Sequence, residues 1–276
     1  MMKYSFNSTT LRNMDVFEAL TQIHAAGYDG VELMLNESHL HPFRATQERV
    51  TEIRNFCSGL GLPIVCVSAG GDRLLSDVPY RPSLIEPDAI GRRQRISLLK
   101  RSVEITRELG APVLNLNSGM LHDGFSPAAA REVLVEGIGE LLEMKAGLTL
   151  VIEPEPNFFI GTTADALALI EKIGDPALLL NLDIGHVNCS ENNCYGAIKR
   201  ALPKTRHIHI EDIRQRVHHH EIPGEGDIDF CRVYSLLKRA GYCHYVSVEL
   251  HHHDGMWQRA LDESLAYLRK MESGQS

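Results

Sequence analysis

Four side chains that can bind a metal each end a short apolar segment of this chain: Glu153, Asp183, His209 and Glu249. Three carboxylates brought into one low-dielectric pocket repel each other, and such a cluster is costly unless a cation neutralises it. Carboxylate oxygens with one imidazole nitrogen suit a divalent metal ion, Mn²⁺, Mg²⁺, Co²⁺ or Zn²⁺, with positions left open for a substrate. Pairing with buried Lys or Arg is disfavoured, because neither residue type shares their alternation phase on the predicted strands.

Further histidines follow two of these segments. The spacing Asp183-x-x-His186 places an imidazole beside Asp183, where it would contact a substrate oxygen, bind a second metal or cap a helix; we favour substrate contact. Within the triplet 218–220, only His218 and His220 share a side in extended geometry. A solvated loop is the simpler interpretation of both triplets, 218–220 and 251–253, and the alternative for the first is a second metal site at His186, His218 and His220.

Other polar residues near the same strand ends are candidate substrate contacts. Pro154 keeps Glu153 extended, and Glu155 after it either supports a ligand or faces solvent. Gly224-Glu225-Gly226 lacks the ending of a P-loop and predicts a turn that lets backbone approach a ligand. The predicted substrate contacts are His186, Glu155, Asn117 and His220.

The elements that must position these residues are eight β-branched or Leu-rich runs that alternate with helical segments. In the helical segments apolar residues recur on one face, as at Leu261, Leu265 and Leu268, and glycines such as Gly61 precede the next run. Because no linker or charge block divides the chain, the pattern predicts one (β/α)₈ TIM barrel domain over residues 1–276. The predicted strands are Tyr4–Phe6, Val31–Leu35, Ile64–Ser68, Val113–Asn117, Thr149–Glu153, Leu178–Asp183, His207–Glu211 and Tyr245–Glu249.

Polar and apolar residues alternate along these strands. On the seventh, Ile208 and Ile210 lie opposite His207, His209 and Glu211. The apolar set is expected to face the helices, and the polar set is expected to face the barrel lumen near the carboxyl ends of the strands, where TIM barrel active sites lie. The same phase places further polar residues of strands two to four in the lumen: Glu32, Ser68 and Asn117.

The composition limits the kinds of molecule that this protein is expected to bind. The formal charge is −8, and nine of the 14 histidines lie between His207 and His253. This charge argues against nucleic-acid binding and favours a small-molecule substrate. Neither a signal sequence nor a membrane-length apolar run is present, so we expect a cytoplasmic protein with no membrane association and with its six Cys reduced. Arg214 and Arg216 could hold a phosphate, but exposed loop charges are the simpler interpretation.

At these residues the chain resembles the sugar phosphate isomerase/epimerase superfamily with the xylose isomerase-like barrel. That superfamily includes D-tagatose 3-epimerase, L-ribulose-5-phosphate 3-epimerase, inosose isomerase and endonuclease IV. The resemblance covers nearly the whole chain, from Phe6-Asn7 onward. Its most specific parts are Glu153-Pro154, Asp183-Ile184-Gly185-His186, His207-Ile208-His209-Ile210-Glu211-Asp212, Pro223-Gly224-x-Gly226-x-Ile228-Asp229 and Glu249.

The resemblance implies roles for the same residues. It identifies Glu153, Asp183, His209 and Glu249 as metal ligands, and the two glutamates as the pair that exchanges a substrate proton. His186 matches a histidine that contacts the substrate oxygen. The implied enzyme is a divalent metal-dependent isomerase or epimerase of carbohydrate metabolism. It would act on a ketose, sugar phosphate or keto-cyclitol through a metal-stabilised enediolate, as a homodimer or homotetramer.

Three alternatives remain at this point. One is a zinc phosphodiesterase like endonuclease IV, whose cluster includes histidines near strands two and three and an Asp-x-His after strand seven. This chain has Ser68 and Asn117 at the third and fourth strand ends, but His218-x-His220 stands where the Asp-x-His would be. A dehydratase of the same superfamily and a ligand-binding barrel without catalysis are the others.

Overall fold

Eight parallel strands close into a barrel in the computed structural model, which describes residues 2–69 and 73–274. Each strand pairs with its sequence neighbours, and the first pairs with the last. The predicted (β/α)₈ fold is confirmed. The strands are β1 Lys3–Asn7, β2 Gly30–Met34, β3 Ile64–Ser68, β4 Val113–Leu116, β5 Thr149–Ile152, β6 Leu178–Asp183, β7 Thr205–Ile210 and β8 Tyr245–Val248.

Helices follow the strands and surround the barrel. Short 3₁₀ helices lie at Ser8–Leu11, Leu202–Lys204 and Asp254–Met256. Gly61 and Gly110 end α2 and α3 with φ of 68° and 76°, in the left-handed region that favours glycine. The α-helices are α1 Val16–Ala25, α2 Gln47–Leu60, α3 Ala89–Leu109, α4 Pro127–Leu142, α5 Thr163–Ile173, α6 Ile184–Ser190, α7 Cys194–Ala201, α8 Phe230–Arg239 and α9 Trp257–Glu272.

Five of the eight strands end one residue earlier than the sequence predicts: β2, β4, β5, β7 and β8. β5 and β8 each end one residue before the glutamate predicted to close them. Both glutamates still bond to the neighbouring strand, since Glu153 N donates to Leu116 O at 3.0 Å and Glu249 N to Ile210 O at 3.3 Å. Their backbone position is therefore fixed by the sheet although their side chains lie above it.

The sheet separates an apolar layer from a polar lumen, as the alternation predicts. Ile208 and Ile210 are fully buried in the main hydrophobic core that joins strands and helices. His207, His209 and Glu211, on the opposite phase, are equally buried. The barrel therefore encloses titratable side chains without exposing them, and an unpaired charge among them would be costly.

Two register shifts alter where lumen residues point. One falls between Val31 and Glu32 in the β2–β3 pair, and the other between Leu180 and Asn181 in the β6–β7 pair. Such an irregularity bends a strand and re-aims its side chains. Both shifts fall at residues whose side chains contact His209, so they belong to the construction of the site.

The structure also shows the state of the cysteines and the length and polarity of the helices. All six cysteines are free; Cys57 and Cys66 are buried, and burial raises the pKa of the Cys57 thiol to about 12. Over the described ranges, the helices are too short or too polar to cross a bilayer.

Gly30 at the start of β2 provides a test of how tightly the barrel is packed. A Cβ there would lie 2.7 Å from Val65 Cγ1 and 3.1 Å from Pro63 O. We expect Gly30→Ala to lower the free energy of unfolding by about 1–3 kcal/mol, because neighbouring backbone must shift. Gly59 in α2 has nothing within 4 Å of an added Cβ, so Gly59→Ala is the matched control and should raise stability by up to about 1 kcal/mol. Equal urea midpoints for the two variants would contradict this account.

Candidate active site

Glu153, Asp183, His209 and Glu249 meet above the lumen and form what we call the central cluster. One ligand atom from each lies within 4.8 Å of the others. His209 Nδ1 lies 2.9 Å from a Glu153 oxygen, 3.3 Å from a Glu249 oxygen and 3.8 Å from an Asp183 oxygen. All four residues are at most 6% exposed. The structure thus brings the four predicted ligands to one buried point.

Side-chain amides hold the two glutamates of the central cluster. Asn115 Nδ2 donates to Glu153 Oε2 at 2.6 Å, and Asn7 Nδ2 donates to Glu249 Oε1 at 2.8 Å. In each glutamate the other oxygen faces His209. Sequence reasoning missed both asparagines, although each shares the alternation phase of the lumen residues.

The donor set fits a divalent cation. Asp183 Oδ2 is buried without a hydrogen-bond partner, while Asp183 Oδ1 accepts from the backbone N–H of His186 at 2.6 Å. Burial alone would lower the pKa of His209, but the carboxylates of Glu249, Glu32 and Glu153 raise it well above the usual value. The site therefore attracts positive charge at its centre, which is what a cation with oxygen and imidazole ligands would supply.

Below the central cluster, Glu32 of β2 links two histidines of β7. Both its oxygens lie 2.9 Å from His209 Nε2, and Oε2 lies 2.9 Å from His207 Nε2. Burial would raise the pKa of Glu32, but the positive charges of His209 and His207 lower it to about 2. The sequence placed Glu32 in the lumen by its phase, but nothing local to it indicated this contact with His209, a predicted metal ligand.

His186, His218 and His220 form a second group, which we call the histidine cluster. One ligand nitrogen from each lies within 4.8 Å of the others, and the Nε2 atoms of His218 and His220 are 3.1 Å apart. Glu155 Oε1 lies 3.7 Å from Nε2 of both His186 and His218. The structure therefore assembles the predicted second set and adds Glu155 to it.

Backbone carbonyls orient two rings of the histidine cluster. His186 Nδ1 donates to Pro154 O and His220 Nδ1 donates to Glu249 O, each at 3.0 Å. In a neutral ring this leaves the Nε2 lone pair free, and His186 Nε2 is buried without a hydrogen-bond partner. The Nε2 atoms thus present the arrangement seen in metal-binding histidines.

Burial and neighbouring charges separate the pKa values around this cluster. Burial, and next the positive charge of His186, lower the pKa of His218 to about 4, and burial raises that of Glu155 to about 7. His186 behaves differently: burial would lower its pKa, but Asp183 and Glu155 raise it to about 9. Proton binding is thus favoured at His186 and disfavoured at His218, so a cation bound by the cluster would have to displace the proton from His186 Nε2.

The loop after β7 carries His218 and His220 and is organised by Asp212. Its carboxylate accepts from the N–H groups of Ile213 at 2.9 Å, Gly224 at 2.9 Å and Ile228 at 3.1 Å. A Cβ at Gly226 would lie 2.4 Å from Asp212 Oδ1. The glycine turn predicted to approach a ligand approaches this buried carboxylate instead, because the loop needs an acceptor for its backbone donors.

The triplet 251–253 is not simply a solvated loop: that interpretation is wrong for His253, whereas the His251 side chain is 30% exposed. His253 is 5% exposed, with Nδ1 2.6 Å from His251 O. His251 Nε2 lies 3.6 Å from Glu249 Oε2, and this contact raises the pKa of His251 against the effect of burial. The contact with Glu249 thus holds His251 beside the central cluster.

A cavity of about 550 Å³ opens above both clusters, and its lining includes Arg12, Tyr80, Glu155, His218 and His220. Its size is sufficient for a small polar ligand. Three sequence candidates lie elsewhere: Asn117 lines a smaller neighbouring cavity with Ser83 and Arg95, Arg214 donates to Glu225 O, and Arg216 donates to Cys189 O and Glu191 O. The two arginines are loop residues, as the simpler interpretation held.

Residues 20–271 match the family described as xylose isomerase-like TIM barrel. The chain belongs to this family. Over 261 residues it is 23% identical to L-ribulose-5-phosphate 3-epimerase UlaE of Shigella flexneri, which covers 92% of this chain and 86% of that protein. The superfamily indicated by the sequence motifs is thus confirmed.

Solved structures show the same barrel. The apo form of 3-keto-D-glucoside 4-epimerase YcjR from E. coli superposes with a TM-score of 0.81 at 21% identity, covering 98% of this chain and 100% of that one. IolI with a bound zinc atom superposes with a TM-score of 0.80 at 20% identity, covering 100% and 99%. At these sequence identities, the two superpositions show that the chain shares the barrel fold of these structures.

Asp212 allows a test of the loop that carries the histidine cluster. We expect Asp212→Ala to lower the free energy of unfolding by about 2–4 kcal/mol, because three backbone donors lose their acceptor and two of these hydrogen bonds are buried. Asp212→Asn keeps one acceptor oxygen and should cost less. Urea unfolding measures both losses, and amide hydrogen exchange at Gly224 and Ile228 should accelerate in the alanine variant. Wild-type stability and exchange in Asp212→Ala would contradict the assignment.

Proposed function

We propose that this protein is a divalent metal-dependent isomerase or epimerase acting on a ketose, sugar phosphate or keto-cyclitol. The observation that carries the proposal is the placement of Glu153 and Glu249. Each has one oxygen held by an asparagine amide and the other directed at a point shared with Asp183 and His209. The sugar epimerases among its relatives support the same reaction class.

The two glutamates perform the proton transfers in this proposal. One removes the proton from the carbon beside the substrate carbonyl, and the C–H electron pair forms the enediolate. The other returns a proton from the opposite face, giving the epimer, or to the neighbouring carbon, giving the isomer. A divalent cation bound by Glu153, Asp183, His209 and Glu249 would polarise the carbonyl and stabilise negative charge on its oxygen.

The histidine cluster would orient the substrate. His186 Nε2 is buried, unpartnered and 3.6 Å from Asp183 Oδ2, so it faces the place where a substrate oxygen would lie. Glu155 and His220 line the cavity, and His220 Nδ1 lies 4.0 Å from Glu249 Oε2 of the central cluster. We assign these three residues to substrate hydroxyl contacts, with hydrogen bonds that also exclude water from the reacting carbon.

A second divalent cation is an alternative occupant of the histidine cluster, and a specific geometry supports it. The three imidazoles with Glu155 would form a four-ligand set of the kind that zinc prefers. Such a site beside the central cluster is also what a phosphodiesterase of the endonuclease IV type would need. Metal stoichiometry and substrate tests separate these functions.

Glu153→Gln tests the proposed base. The amide cannot accept a proton at neutral pH, so we expect turnover to fall by about 10²–10⁴-fold or more, with weaker metal binding because one ligand charge is lost. Solvent deuterium incorporation into a panel of ketoses, followed by NMR, measures the exchange, and exposed Glu171→Gln on α5 is the control. Full activity in Glu153→Gln would overturn the assignment. Cleavage of abasic-site DNA without carbon exchange would favour the phosphodiesterase, and neither activity would favour a binding protein.

His218→Ala tests the second cation. If the histidine cluster binds one, metal analysis of untagged protein should fall from two equivalents per chain to one. His219→Ala is the matched control on the same loop, because His219 is 52% exposed at its side chain and lies 3.6 Å from Glu221 instead. A single equivalent in wild type and in both variants would reject the second cation. A raised KM in His218→Ala alone would then assign the cluster to substrate.

A further inference from the structure

Glu32 is the buried carboxylate beneath the central cluster, and the proposed proton transfers do not use it. It lies on β2, is 0% exposed, and reaches across the lumen to β7. Its carboxylate oxygens lie 2.9 Å from His207 Nε2 in one contact and 2.9 Å from His209 Nε2 in two. These are hydrogen-bond distances between a carboxylate and ring N–H groups.

The two nitrogens of His209 face different surroundings. Nδ1 faces Glu153 and Glu249 in the central cluster, whereas Nε2 faces Glu32. A neutral imidazole has one N–H and one lone pair. With the proton on Nε2, the ring donates to Glu32 and turns the Nδ1 lone pair toward the central cluster. The opposite tautomer would set the Nε2 lone pair against Glu32, whereas the carboxylates that face the Nδ1 lone pair would be neutralised by the proposed cation.

We infer that Glu32 is a positioning residue that fixes the tautomer and ring orientation of His209, so that Nδ1 is the atom available to bind a cation. The inference rests on the proposed metal centre. Hydrogen bonding of a ligand histidine to a carboxylate makes the ring more basic and orients it, and loss of such a partner typically weakens metal binding by about 10–100-fold.

Two features keep Glu32 in this role. The register shift in the β2–β3 pair falls between Val31 and Glu32, and such an irregularity re-aims the side chain beside it. His207, 1% exposed, gives the carboxylate a second donor, so the oxygen that it contacts is not left unsatisfied in the lumen. His207 therefore supports Glu32, and through it His209.

A separate cation among Glu32, His207 and His209 is the competing interpretation, since one ligand atom from each lies within 4.8 Å of the others. It would require His209 to bind through Nε2. The choice between the two interpretations therefore reduces to which nitrogen of His209 binds the metal.

Metal affinity of the Glu32 variants is the first test, measured on the full chain by competition with a chelating dye for Zn²⁺ and Mn²⁺. We expect Glu32→Ala to weaken binding by about 10–100-fold. Glu32→Gln should weaken it less, because its amide oxygen still accepts from Nε2–H. The control is Glu191→Gln, which alters a carboxylate that accepts two hydrogen bonds from Thr163, at 2.9 and 2.6 Å. Unchanged affinity in a folded Glu32→Ala protein would overturn the inference.

Histidine ¹⁵N NMR of the wild-type chain with Zn²⁺ is the second test, and its readout comes from wild-type protein rather than from a Glu32 variant. We expect the His209 resonances, assigned by their loss in His209→Gln, to show a metal-bound Nδ1 and a protonated Nε2. A metal-bound Nε2 would overturn the inference and favour the separate cation. Failure of wild-type protein to bind either metal would instead contradict the proposed metal centre.

Discussion

Carboxylates buried close together impose the main constraint on this molecule. Glu32, Glu153, Asp183 and Glu249 lie in or just above the barrel lumen, each at most 6% exposed. Unpaired charges in such surroundings would cost more than a domain's net stability. The polar lumen therefore answers one requirement: each buried negative charge needs a donor or a positive partner. Histidines and asparagines of neighbouring strands meet that requirement in part. A cation at the centre would neutralise the negative charge that remains.

The closed barrel solves the positional part of this problem. Strand ends fix the backbone of Glu153 and Glu249 through sheet hydrogen bonds, and side-chain amides then fix one oxygen of each. The apolar phase of the same strands packs against the helices and makes the scaffold rigid. The precise placement of the central cluster and the stability of the fold thus come from opposite faces of the same strands.

Sequence patterns predicted the barrel and the central cluster because both depend on periodicity. Alternation assigns His209 and Asp183 to the lumen, and their place near the strand ends predicts their position along the barrel axis. The Glu32–His209 contact joins residues 177 positions apart across a closed barrel, so it depends on closure and on a register shift that no local pattern reveals. Asn117 and Asn115 share a phase but differ in height by one layer, and only the structure shows that Asn115 contacts Glu153. The second histidine triplet lies in a loop, where no period indicates burial.

The hydrogen bond from His220 Nδ1 to the backbone carbonyl of Glu249 ties the loop after β7 to the end of β8. A residue proposed to orient the substrate is thereby hydrogen-bonded to a residue proposed to transfer protons, so a change in one would disturb the other. The opposite wall of the cavity, formed by Met34, Pro79 and Tyr80, comes from β2 and the segment after β3. Divergence of substrate preference without loss of the underlying chemistry is therefore easier on that wall, which makes it the natural region for directed evolution.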